Sequence, residues 1–72
     1  MSLPSYNNYV DNAIIDATKM NDAQLVSSFS HHGCGDFSHF INFDRDSLID
    51  LYVADRVYGM FHSVYAKMLN TL

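Results

Sequence analysis

Between Leu48 and Ala54 the sequence reads LIDLYVA, interrupted only by Asp50. Wound at 3.6 residues per turn, these side chains cover almost the whole circumference of a helix. A helix that is apolar all round must be enclosed by other elements. The rest of the chain is therefore expected to wrap around this stretch, with only 72 residues in total to do so. One small domain, residues 1–72, follows. Its core is limited, because a chain of this size buries only about 60% of the surface its unfolded form exposes.

The helical pattern extends in both directions. Phe43, Asp44 and Leu48 have the spacing of a hydrophobic staple around an N-cap, and Asp44 and Asp46 suit the positive end of a helix dipole. From Val57 to Leu69 apolar residues recur at spacings of three and four. They cover about half the circumference, more than the ~100° stripe a surface helix needs. A long C-terminal helix over 44–70 is predicted. Gly59 lies inside it, costs about 1 kcal/mol against alanine, and marks the place for a break or a close helix contact.

Two shorter helices precede it. Over 5–19, Tyr6, Tyr9, Val10, Ala13, Ile14 and Ala17 gather on one face, with Ser5 as cap and Pro4 at the entry. Ile15 points out among polar residues. Over 21–32, Asn21 and Gln24 form a capping box and Met20 and Leu25 a staple. Gly33 is placed to stop that helix. Residues 33–43 are expected to be irregular or a short helical turn capped by Asp36, with Phe37, Phe40 and Ile41 on one face. The expected fold is all-α, a compact three- or four-helix array around the long C-terminal helix.

The stretch SFSHHGCGDFSHF, residues 28–40, holds three of the four histidines and the only cysteine. His31, His32, Cys34 and His39 are competent zinc ligands, and a metal-binding regulatory module is the alternative functional reading. Against it, structural zinc sites pair two short ligand clusters, and only one is present here. A helix end followed by a tight turn explains HHGCG better. Cys–His catalysis needs a base and an orienting group around Cys34, and no oxyanion-hole motif accompanies it, so no enzyme activity is expected. DRDSLID begins like a calcium loop, but Leu48 and Ile49 stand where a ligand and a glycine are required. A helix-turn-helix over 22–43 would read DNA with DFSHFINF, which has no Arg, Lys or Gln.

Charge narrows the partners. All eight acids are aspartate and the four bases are scattered, for a net charge of −4. Direct nucleic-acid binding, which rests on clustered Lys and Arg, is excluded as an expectation. No apolar run is long enough to cross a membrane. The opening MSLPSYNNYV lacks the basic and apolar regions of a signal peptide, so a cytoplasmic protein is expected. No cofactor is implied.

Apolar residues make up 49% of the chain and aromatics 14%, more than a tiny core easily hides. A surface that meets another protein, or a second copy of the chain, is expected. The expected function is non-enzymatic: an inhibitor or adaptor that docks on a larger machine, including a basic nucleic-acid-binding protein. Phage-encoded inhibitors of host defence, such as anti-CRISPR proteins, share this size and charge; that analogy has no motif behind it. The expected contact residues are Asp11, Ile15 and Asp16 on the first helix. On the third they are Asp50, Asp55, Tyr58 and Tyr65.

Overall fold

A computed structural model describes residues 6–33 and 35–71. The expected Ser5 cap, the inward-facing Tyr6 side chain and Cys34 lie outside the described residues. Four α-helices follow in order: α1 (Tyr6–Thr18), α2 (Asp22–Ser27), α3 (Arg45–Val53) and α4 (Phe61–Thr71). Among the described residues there is no strand. The all-α expectation holds, but three of its details change.

The first concerns α1. Ala13 and Ala17 are buried, with Val10 and Met20 packed partly against the core. Tyr9 and Ile14 are exposed, so the buried stripe is narrower than the pattern predicted. Two alanines bring α1 close onto α3, and the large flanking side chains are left at the rims. Ile15 is exposed, as expected.

The second concerns α2. Asn21 Oδ1 accepts from the Gln24 N–H at 2.8 Å, and Gln24 Oε1 accepts from the Asn21 N–H at 2.9 Å. This is the expected capping box. The α-helix ends at Ser27, however, and does not run to residue 32. The chain tightens into a 3₁₀ turn over Ser30–His32, and Gly33 closes it with φ 80°. A second 3₁₀ turn spans Phe37–Phe40; Asp36 precedes it with an extended backbone but makes no side-chain cap. Of the three apolar residues expected to be shared there, only Phe40 is buried.

The third is the long helix, which is not continuous. Asp44 caps α3, its carboxylate accepting from the Ser47 N–H at 2.8 Å. That backbone bond, followed by one from the Ser47 hydroxyl, holds the Asp44 carboxyl below the ordinary carboxylate range. Leu48, Leu51, Tyr52, Val53 and Ala54 are buried, and α3 touches α1, α2 and α4. The helix then widens into a π turn over Ala54–Tyr58. The Ala54 carbonyl accepts from the N–H groups of both Gly59 and Met60. Gly59 adopts φ 61°, a left-handed conformation that glycine takes without a Cβ penalty. The chain leaves this corner in a new direction as α4.

That turn brings Phe61 into the core. Its ring lies 5.1 Å from that of Phe29, which lies 5.3 Å from Phe40. Tyr65 stacks on Phe61 at 5.5 Å. These tilted and stacked rings are favourable aromatic geometry beyond their burial alone.

Arg45 ties the start of α3 to the end of α1. Its Nη1 donates to Asp22 at 2.9 Å, and its Nη2 donates to the carbonyls of Met20 at 2.7 Å and Thr18 at 3.2 Å. A helix C-terminus leaves such carbonyls unpaired and favours a cation. Replacing Arg45 by Met should cost about 1–2 kcal/mol in urea unfolding. Asp22→Ala removes an exposed ion pair and the acid in the first turn of α2, each a small contribution, and should cost about 1 kcal/mol or less. Equal losses would show that the carbonyl contacts contribute nothing.

Candidate functional site

Two places on the molecule combine chemistry with access. The first is a histidine–aspartate cluster at the corner between the 3₁₀ turn 30–32 and the π turn. His32 Nε2 lies 2.9 Å from Asp55 Oδ1, and His31 Nε2 lies 3.6 Å from Asp55 Oδ2. Asp55 is only 10% exposed, against 58% for His31. The His32 ring stacks on Phe61 at 4.2 Å with planes 4° apart. His62 sits edge-on to it at 5.0 Å. The π turn presents Asp55 to this corner, and widened turns of this kind are frequent at functional sites.

The cluster revises the sequence-based ligand set. His31 and His32 come together as expected, but Asp55 completes the group and His39 is not in it. The chain leaves at Gly33, and His39 travels with the 37–40 turn, where its carbonyl accepts from the Tyr65 hydroxyl at 3.1 Å. Cys34 lies outside the described residues. Asp55 is accordingly not the exposed contact acid it was expected to be.

The second place is an apolar concavity over the 37–43 segment. Phe40, Phe43 and Leu48 form its inner wall, and Phe37 and Ile41 stand at its edge. Ile41 is 80% exposed and Phe37 54%. An adjoining hollow shares Ile41 and Phe43 and reaches Leu69 on α4, itself 48% exposed. Phe37 and Ile41 thus flank the apolar hollow, and Leu69 stands beyond Ile41 across the adjoining one, which Ser38, His39 and Asn42 also line. The expected contact residues do not include any of them. The clue in the sequence was present: Phe37, Phe40 and Ile41 are too large and too close together for one short turn to bury all three.

The remaining expected contact residues are dispersed. Asp11 and Ile15 are exposed on α1, one turn apart. Asp16 reaches a groove between α1 and the π turn, facing Tyr9, Tyr52 and Arg56. The Arg56 guanidinium lies over the Tyr52 ring at 5.3 Å. Asp50 is exposed on α3, and Tyr58 is half exposed. Tyr65 is half-buried, part of the aromatic cluster, and its hydroxyl donates to the His39 carbonyl.

No helix among the described residues is long and apolar enough to cross a membrane. Comparison with protein-family models, with curated proteins and with solved structures finds no match.

Proposed function

We propose that this protein is a non-enzymatic interaction module that binds another protein through the apolar face of Phe37, Ile41 and Leu69. The observation that carries this reading is the exposure of Ile41, 80%, beside an apolar hollow. Contiguous exposed apolar surface in a small protein is a mark of an interaction site, and aromatic side chains are enriched there. The acids supply the rest. A net charge of −4 makes two copies repel, and it attracts a partner with a basic surface. An apolar anchor seated in the hollow, within a basic rim, is the matching partner chemistry. Inhibition or scaffolding of a larger machine is the role such docking serves.

Ile41→Asp tests this directly. Ile41 is exposed, so the melting temperature should hold to within the small change of a surface substitution, about 0.5 kcal/mol. Binding to a partner identified by affinity purification and then reconstituted from pure components should weaken at least tenfold. Raising salt should weaken the wild-type complex further, because the steering is electrostatic. Unchanged affinity in Ile41→Asp contradicts the reading. So does a dimer in sedimentation that Ile41→Asp dissociates, since the occupant would then be a second copy.

A further inference from the structure

We infer that His31, His32 and Asp55 form a binding site for a single transition-metal ion, with zinc the best match. The ligating atoms of the three side chains all lie within 4.8 Å of one another. Zinc in a tetrahedron with bonds of about 2.0–2.2 Å needs ligand atoms roughly 3.4 Å apart. His32 Nε2 lies 2.9 Å from Asp55 Oδ1 and His31 Nε2 3.6 Å from Asp55 Oδ2, so each ring is near that spacing from one oxygen of the same carboxylate, and a small side-chain adjustment within the 4.8 Å spread would close the set around one ion. Two imidazoles and a carboxylate suit a borderline ion such as Zn²⁺ and fit poorly with Mg²⁺ or Ca²⁺, which take oxygen ligands.

The arrangement asks for more explanation than an ion pair gives. Neighbouring residues of a 3₁₀ turn point about 120° apart. Here the adjacent His31 and His32 instead converge, with ring centroids 4.0 Å apart and both Nε2 atoms on one carboxylate. One imidazole at 2.9 Å already gives the Asp55 carboxylate a hydrogen-bond partner. The second ring is not needed for that contact, but it supplies a third donor atom. The site is also built on fixed parts: Phe61 holds the plane of the His32 ring, and the π turn holds Asp55 in a nearly buried position. Three protein ligands leave a fourth position open to water or to an outside donor. A bound ion would join two segments 23 residues apart in sequence, so binding and folding would be linked.

The test is calorimetric titration of the full chain with Zn²⁺, beside His31→Ala and Asp55→Asn, with helicity checked by circular dichroism. The expected result is one ion per chain, a higher melting temperature with zinc, and at least tenfold weaker binding in both variants. His31 is mostly exposed, so His31→Ala should fold and remain a fair test should Asp55→Asn unfold. Cobalt in place of zinc should give the intense visible absorption of a tetrahedral site. Failure to take up one ion overturns the assignment, as does full affinity in His31→Ala. Binding that is lost in Cys34→Ser and kept in Asp55→Asn also overturns it, by moving the site onto the cysteine. Ile41→Asp should bind zinc as wild type does, which separates this site from the docking face.

Discussion

Phe29→Ala should abolish cooperative unfolding. Phe29 is fully buried and meets both Phe40 and Phe61 ring to ring. Truncating a buried phenylalanine removes its transfer free energy and leaves a cavity, a loss of about 3–5 kcal/mol. A single core in a chain this short rarely supplies more than about 3–5 kcal/mol in total. The mutation therefore removes about as much stability as the domain possesses. The three rings come from the segment after α2, the 37–40 turn and α4, so this one side chain joins all three parts at the centre of the core. Thermal melting followed by near-ultraviolet circular dichroism reads the result: a sloping baseline with no transition is expected. A sharp melt within a few degrees of wild type would mean that the aromatic cluster is not the centre of the core.

Gly59→Val should be the next most damaging change, at about 2–3 kcal/mol, for a different reason. A Cβ at Gly59 meets nothing within 4 Å, so packing does not forbid a side chain. The cost is in the backbone. A left-handed φ of 61° is strained for any non-glycine residue and worst for a β-branched one. Gly59→Asn, which tolerates this conformation, should cost clearly less. The valine also favours continuing α3 straight through the corner, which draws Asp55 away from His31 and His32 and Phe61 away from Phe29. Urea unfolding of the three proteins separates these outcomes. Equal stability of the valine and asparagine variants would show that the chain does not need the left-handed turn.

Gly59 also marks how far the sequence could be read. LIDLYVA required enclosure on several sides, and α3 is enclosed. The two cap motifs at Asn21 and Asp44 depend on local spacing alone, and both form. The helix break was visible only as a glycine in a continuous apolar pattern. A pattern of period 3.6 is satisfied equally well by one long helix and by two shorter ones that meet at a corner. What chose the corner was burial of Phe61 against Phe29, a contact between residues 32 positions apart that no local pattern reports.

The site was legible in the same partial way. His31 and His32 stood out by composition, but their partner Asp55 lies 23 residues away and reads in the sequence as one exposed acid among eight. Its place follows from the π turn, whose extra residue no pattern of three and four anticipates. Conversely, Cys34 and His39 were grouped with the histidines because they are near in sequence, whereas Gly33 turns the chain and carries His39 to Tyr65. The apolar face was missed because Phe37, Phe40 and Ile41 were read as one shared face of a short turn, with no account of which of them a small core could cover. A 3₁₀ turn of four residues has room to bury one of its large side chains, and Phe40 takes that place.

Site-specific photocrosslinking tests the docking face most directly. A benzophenone side chain placed at position 41 should crosslink, in the native host, to one protein with a basic surface. The same group at Ser63, exposed on α4, should give little of that product. A single crosslinked partner at position 41, competed away by unlabelled wild-type protein but not by Ile41→Asp, is the expected result. Equal yields at positions 41 and 63, or crosslinking only between two copies of this chain, would contradict the proposal that this surface binds a foreign protein.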